Sequence, residues 1–217
     1  MPYTGQVTVG GDADVRELSG LVVTKLAVGP MSNNVYLLRC RETGEQLMID
    51  AAYDEDRLLA LVGDAGLATV VTTHRHTDHV EALTDVIAAT GATPVAGAAD
   101  ADALPVPVDV RVDDGDTVRV GRCSLSVIGL VGHTPGSIAL RYDDADGRPH
   151  LFTGDSLFPG GPGRTTGIEN FLSLMGDLEA KVFDVMPDET WIYTGHGDDT
   201  VLGAERPHLP EWRSRGW

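Results

Sequence analysis

The chain has 217 residues, which suits one domain with a substantial core, and its 42% hydrophobic and 23% charged residues are ordinary for a globular protein. Its 33 acidic and 16 basic residues give a formal charge of −17, which repels nucleic-acid phosphates and anionic membrane surfaces. The sequence contains no signal-peptide pattern and no run of roughly 18 to 20 apolar residues that could span a membrane. We therefore expect a cytoplasmic protein with no nucleic-acid or membrane partner.

The first part of the chain alternates strand-like and helical runs. Residues 1–19 are polar and glycine-rich, and we expect an irregular or edge segment there. An antiparallel meander is predicted next, because three strand-like runs are separated by turn residues, at 21–28, 33–40 and 45–50. Asp50 ends the third run, and it could either support a nearby site or cap the strand. An amphipathic helix at 55–62 then leads into the next strand.

The segment TVVTTHRHTDH carries four potential metal ligands within six positions. Its β-branched residues predict a buried strand that ends at His74. His74, His76, Asp78 and His79 follow without one aliphatic residue among them, which core packing explains poorly. Ligands commonly bind where loops leave the carboxyl ends of strands in an α/β sheet. The segment therefore predicts a metal site.

A helix is predicted at 80–89, directly after this motif. Asp78 would then lie at its N-terminus, where exposed N–H groups and the helix dipole favour an ionised carboxylate. Cys40 and Cys123 are isolated from each other in sequence and are predicted to be buried free thiols. The remaining elements predicted are a strand at 94–96, hairpins at 118–129 and 137–153, a glycine-rich loop at 158–167, a helix at 171–185, a strand at 191–194 and a short tail at 205–217.

Three later strand-like runs each end in a His or Asp flanked by glycine. These loops read GHTPG at 132–136, GDS at 154–156 and GHG at 195–197. Glycine beside a ligand lets the backbone turn sharply and approach an ion. His150 and His208 fit no such loop, and we expect both at the surface.

These motifs together resemble the metallo-β-lactamase fold superfamily and, within it, the glyoxalase II type, the hydroxyacylglutathione hydrolases and their single-domain relatives. The resemblance implies a single α+β domain over residues 1–217, built as a four-layer αββα sandwich with the site along one edge. It implies that two divalent metal ions are bound. The ligands would be His74, His76 and His133 for the first ion, Asp78, His79 and His196 for the second, and Asp155 as a bridge.

The donor set also suggests a chemistry. Histidine and carboxylate ligands without thiolate suit zinc, with iron and manganese also open. Two such ions can share a bridging water and lower its pKa to about 7, which supplies a metal-bridging hydroxide, and Asp78 is assigned a catalytic role as well as a ligand role. A thioester expels a thiolate of pKa about 8.5 and needs little acid assistance. We therefore predict cleavage of a small hydroxyacyl thioester to acid and free thiol.

Specificity and alternatives remain open at this point. The resemblance gives Arg164 a substrate-binding role near a glutathione carboxylate, and an exposed loop arginine is the other interpretation. The short segment after His196 leaves no room for the helical domain that contacts glutathione in full-length glyoxalase II, and Gly-Asp replaces the usual Glu-Tyr after that histidine. The alternatives are an iron persulfide dioxygenase, with one iron held by His74, His133 and Asp155, a lactone hydrolase and a non-catalytic metal-stabilised binding protein.

Overall fold

The computed structural model describes residues 3–216 of the chain. Met1 and Pro2, which begin the predicted N-terminal segment, and Trp217, which ends the predicted tail, lie outside the described residues. No helix within residues 3–216 is long and apolar enough to cross a membrane.

The first of two facing β-sheets contains seven strands in the order in which they follow along the chain. The first four strands pair antiparallel, as the predicted meander requires, and the fourth to seventh pair parallel. Most of the side chains on the central strands are buried, because other layers cover both faces. The strands are β1 (Asp14–Glu17), β2 (Leu21–Val28), β3 (Asn33–Cys40), β4 (Gln46–Ile49), β5 (Thr69–Thr72), β6 (Thr93–Gly97) and β7 (Val110–Val112).

The second sheet contains six strands, which are β8 (Thr117–Val120), β9 (Cys123–Gly129), β10 (Ile138–Asp143), β11 (Pro149–Gly154), β14 (Trp191–Thr194) and β15 (Thr200–Val201). Their spatial order is β15-β14-β11-β10-β9-β8. The β11–β14 pair is parallel and the other pairs are antiparallel. Two very short strands, β12 (Leu157–Phe158) and β13 (Gly161–Pro162), form a hairpin within the loop that is rich in glycine.

Helices cover the outer face of each sheet. Leu58 and Leu83 pack helices against the first sheet, Leu174 packs a helix against the second, and side chains such as Val71 and Phe152 fill the layer between the sheets. The four-layer αββα sandwich is therefore confirmed. The helices are α1 (Glu55–Val62), α2 (Leu83–Thr90), α3 (Ile168–Leu178), α4 (Leu202–Glu205) and α5 (Leu209–Arg215).

The helix predicted directly after the histidine motif starts later than expected. Residues 77–79 form a separate 3-10 turn, and α2 begins only at Leu83. The Ala82 amide donates to the carbonyl oxygens of Ala51 and Ala52, which turns the chain before the helix starts. The prediction that a helix N-terminus holds Asp78 ionised is therefore wrong.

Two further regions differ from their predicted surroundings. His150 is only 1% exposed, and its Nδ1 lies 3.0 Å from the Tyr193 hydroxyl, so the surface prediction for this residue is wrong. The C-terminal segment is helical and tied to the core by Trp212, which is buried against Phe183. His208 has an exposed side chain, as predicted, and both cysteines are buried and free.

Candidate metal centre

All seven predicted ligands lie at one edge of the sandwich. The first sheet supplies His74 and His76 just after β5 and Asp78 and His79 in the following 3-10 turn. The second sheet supplies one ligand after each of three strands, because its strand ends face the same edge. These ligands are His133 after β9, Asp155 after β11 and His196 after β14.

His74, His76 and His133 form what we call the first triad. One ring nitrogen of each lies within 4.8 Å of the others. Within residues 3–216, the Nε2 atoms of His74 and His133 are buried and have no hydrogen-bond partner. Buried polar atoms are ordinarily hydrogen-bonded, so these nitrogens require an explanation.

Asp78, His79 and His196 form the second triad, and their ligand atoms also lie within 4.8 Å of one another. The Nε2 atoms of His79 and His196 are 3.1 Å apart. The Asp78 Oδ2 atom is 3.6 Å from His79 Nε2 and 3.4 Å from His196 Nε2. The same oxygen accepts a hydrogen bond of 2.8 Å from the Asn33 side-chain amide, which fixes the orientation of the carboxylate.

Asp155 lies between the two triads. Its Oδ2 atom is 3.6 Å from His133 Nε2 and 3.4 Å from His196 Nε2, and its Oδ1 atom is 3.3 Å from His79 Nε2. Oδ1 is buried and lacks a hydrogen-bond partner among the described residues. One carboxylate is thus shared by both groups of ligands.

The partners of the outer ring nitrogens determine which atom faces the centre. His133 Nδ1 lies 2.6 Å from the Arg164 carbonyl and His196 Nδ1 lies 3.0 Å from the Met31 carbonyl. A carbonyl only accepts, so each Nδ1 carries a hydrogen, and in the neutral ring each Nε2 presents a lone pair. His79 Nδ1 lies 2.9 Å from an Asp50 oxygen, with the same result. Lone pairs that converge with a carboxylate fit a divalent cation.

Asp50 performs both of the roles that the sequence left open. Its two oxygens accept hydrogen bonds of 2.7 Å from the Thr73 amide and the Thr73 hydroxyl, which closes the end of the strand. It also accepts from His79 Nδ1 and so orients a ring of the second triad. Asp50 takes a left-handed conformation, with φ of 57°.

Asp100 is a buried carboxylate at the site that sequence reasoning missed. It accepts hydrogen bonds from the Arg75 amide at 3.1 Å, from the Gly136 amide at 3.0 Å and from the Thr134 hydroxyl. It therefore joins the loop of His74 and His76 to the loop of His133. Its position shortly after β6, at the edge where β5 also ends, is the signal that could have revealed it.

Burial and charge shift the pKa values in opposite directions in the two triads. Burial opposes a charge on His79, but the carboxylates of Asp155 and Asp50 outweigh it and raise its pKa to about 10. Burial, followed by His79, holds the pKa of His74 well below its usual value. Burial works against ionisation of Asp155, but His196 and His79 hold its pKa well below the usual range. Asp155 therefore remains a carboxylate in the pH range where proteins function.

Two glycines make room for this carboxylate. A Cβ atom at Gly195 would lie 2.0 Å from Asp155 Oδ1, and one at Gly163 would lie 1.6 Å from the Asp155 carbonyl oxygen. Both distances are far below van der Waals contact, so any side chain at either position would displace Asp155. Close packing thus requires glycine at positions 163 and 195.

Arg164 lies beside the candidate centre with its side chain exposed. Its carbonyl contacts His133, and its loop lines a surface depression of about 230 Å³ together with Phe158 and Arg215. The Phe158 ring centroid is 6.2 Å from that of His196. The predicted contact between Arg164 and substrate stays a prediction.

Known proteins of similar sequence match most of the chain. The family model described as the Metallo-beta-lactamase superfamily matches residues 28–196. A hydroxyacylglutathione hydrolase from Cereibacter sphaeroides is 37% identical over 166 residues, which are 76% of this chain and 62% of that protein. The chain thus spans less than two thirds of the length of this relative.

Solved structures show the same architecture. ETHE1 from Myxococcus xanthus superimposes with a TM-score of 0.75 and 33% identity, over 87% of this chain and 83% of that one. The di-iron-bound form of TTHA1623 gives a TM-score of 0.67 and 30% identity, over 84% of this chain and 96% of that one.

Proposed function

The chain belongs to the metallo-beta-lactamase superfamily, and we propose that it is a dinuclear metal-dependent hydrolase of the glyoxalase II type. The reaction would be cleavage of a hydroxyacyl thioester to an acid and a free thiol. The observation that carries the proposal is that ligand atoms from both triads lie around one shared carboxylate, that of Asp155. A site for a single ion would not require a second set of three ligands.

In this proposal each triad would hold one divalent ion, and Asp155 would serve both sites. Such ions, when bound, would lower the pKa of a water molecule to about 7 and polarise an acyl carbonyl. Zinc suits this donor set, and iron and manganese suit it too. The chain itself orients the donor atoms: Asn33 fixes the catalytic ligand Asp78, and Asp50 fixes His79.

We propose that the substrate carries an acidic group that Arg164 binds. Arg164 and Arg215 both line the depression beside the candidate centre, and a guanidinium group suits a carboxylate. A local positive charge matters here because the net charge of −17 repels anions at long range.

We also propose that residues 1–217 form one domain. The two sheets share one apolar layer, to which Val71 contributes from the first sheet and Phe152 from the second. The candidate ligands come from both sheets. Separation of the sheets would therefore remove the core and the site together.

The direct test pairs metal analysis with a thioesterase assay on the same preparation. We expect about two zinc ions per chain and release of thiol from S-lactoylglutathione or another S-lactoyl thiol. Arg164→Ala should raise KM for an S-lactoyl ester of an acidic thiol and leave KM unchanged for a neutral one, with the exposed Arg119→Ala as the matched control. Zinc-loaded protein without thioesterase activity on any S-lactoyl thiol would refute the proposal.

One observation favours a second function, the iron persulfide dioxygenase. The three buried ligand atoms without hydrogen-bond partners in residues 3–216 belong to His74, His133 and Asp155, which are the three residues expected to hold a single iron. About one iron per chain, with oxygen uptake in the presence of a thiol persulfide and no thioester cleavage, would establish this alternative.

A further inference from the structure

Lys25 is a fully buried lysine beneath the turn that carries His196. Its side chain has 0% exposure, and its ammonium group donates three hydrogen bonds. The acceptors are the Gly197 carbonyl at 2.7 Å, the Asp199 carboxylate at 2.7 Å and the Gly5 carbonyl at 2.6 Å. All three donors of the ammonium group are thus satisfied.

The Gly197 carbonyl belongs to the residue that follows His196. It accepts a second hydrogen bond, of 2.9 Å, from the Asn34 side chain, which also donates to the Thr194 carbonyl at 2.9 Å. Gly197 has a φ of 65°, which glycine adopts readily. Side chains from β2 and β3 in the first sheet thus hold the turn after β14 in the second sheet.

The buried Lys25–Asp199 pair is poorly explained by stability alone. Burying two charges carries a large desolvation penalty, and a well-packed apolar pair of similar volume is often as stable or more stable. An apolar pair could not reproduce the hydrogen bonds from Lys25 to the Gly5 and Gly197 carbonyls, and the second of these lies beside His196. The ion pair therefore requires a reason beyond packing.

We propose that Lys25 is a positioning residue for the second triad. Its hydrogen bond to the Gly197 carbonyl fixes the turn after β14. The fixed turn then sets the orientation of the His196 ring relative to Asp78 and His79. The proposal rests on the proposed function in one respect, because it assumes that the second triad binds an ion.

The first experiment compares zinc binding to the metal-free wild-type protein and the Lys25→Met variant by calorimetry. We expect the second ion to bind at least about tenfold more weakly in the variant and the first ion to bind as in the wild type. Lys181 provides a control for the second ion, because it is the chain's other lysine and bonds the Gly129 carbonyl at the end of β9, which leads to His133 in the first triad. Lys181→Met should leave the affinity for the second ion unchanged.

A second control separates positioning from anchoring of the N-terminal segment. The Tyr3 hydroxyl donates to Asp199 at 2.7 Å, so Tyr3→Phe weakens that anchor without touching Gly197. This variant should bind both ions as the wild type does. The double variant Lys25→Met/Asp199→Asn removes the unpaired charge and keeps an acceptor for Tyr3 and Trp191, so it should recover melting temperature relative to Lys25→Met but keep the weak second site. Equal weakening of both ions, or a second site restored with the melting temperature, would overturn the proposal.

A metal-free readout makes the inference independent of the number of ions. In protein treated with a chelator, Lys25→Met should speed amide hydrogen exchange at residues 194–199 and leave residues 132–136 unchanged. Unchanged exchange at residues 194–199 would overturn the positioning role. A wild-type protein that binds only one ion would instead contradict the dinuclear function. The exchange experiment would still test whether Lys25 positions the turn.

Discussion

The two triads differ in how their ligand atoms are held. In the first triad, the Nε2 atoms of His74 and His133 have no hydrogen-bond partner among residues 3–216. In the second, the nitrogens of His79 and His196 face each other at 3.1 Å, and Asn33 already bonds Asp78. The first triad therefore presents nitrogens without partners, whereas the ligand atoms of the second triad already contact one another or Asn33 and must exchange some of these contacts to bind an ion. We therefore expect the second triad to determine whether one ion or two are bound.

Removing the carboxylate that the two triads share should abolish ion binding at both of them. Asp155→Asn keeps the side-chain volume but removes the charge that contacts both, so we expect loss of both ions and a fall in thioesterase activity of about 10³-fold or more. Metal analysis and initial rates measure this, and circular dichroism checks the fold. Asp146→Asn, in the exposed hairpin turn, is the control and should have no effect.

Weakening a hydrogen bond that orients a ligand of the second triad should weaken ion binding at that triad alone. Asp50→Asn weakens the acceptor that fixes the His79 tautomer, so the second ion should bind about 10- to 100-fold more weakly while the first is retained. Zinc titration of the metal-free protein measures both steps. The exposed Asp56→Asn on α1 should behave as the wild type, and equal loss at both triads would show that Asp50 serves only the strand end.

The pH dependence of binding should also distinguish the triads. Carboxylates raise the pKa of His79 to about 10, so between pH 6 and 8 a proton must leave before an ion binds, and affinity should rise about tenfold per pH unit. Burial lowers the pKa values of His74 and His76, so these two ligands have no such proton to displace there. Titrations of His196→Ala and His76→Ala, which isolate the two triads, check this. Equal slopes of the logarithm of affinity against pH for the two variants would contradict this prediction.

The smallest effect is expected from the support of the first triad. Asp100→Asn loosens the tie between two loops without contacting a ligand, so we expect the first ion to bind about fivefold more weakly and the second to be unchanged. The neighbouring exposed Asp102→Asn is the control. A larger effect on the second ion than on the first would refute this assignment.

The sequence predicted the parts of the molecule that local patterns determine. The candidate ligands were identified because each follows a strand-like run, and the structure brings all seven to one edge. The meander at 21–50 and the hairpin at 118–129 were predicted correctly, since turn residues separate their strands. Whether these residues bind metal stays a prediction.

Features that depend on contacts between residues far apart in the sequence were not predicted. His150 fits no ligand loop, which favoured a surface position, yet Tyr193, from a strand far along the chain, completes its buried environment. The start of α2 at Leu83 depends on carbonyls before α1. Lys25 is one unremarkable position in β2, and its partners come from both ends of the chain.

The candidate ligands are spread along the chain from His74 to His196 and come from both sheets. Ions held among them would close a long loop, much as a covalent cross-link does, and would disfavour the open chain through its lost entropy. The supply of metal would then determine how often the two sheets separate. A cell short of the metal would expose the apolar layer around Val71 and Phe152 to proteases, so the lifetime of the protein would follow the availability of its ion.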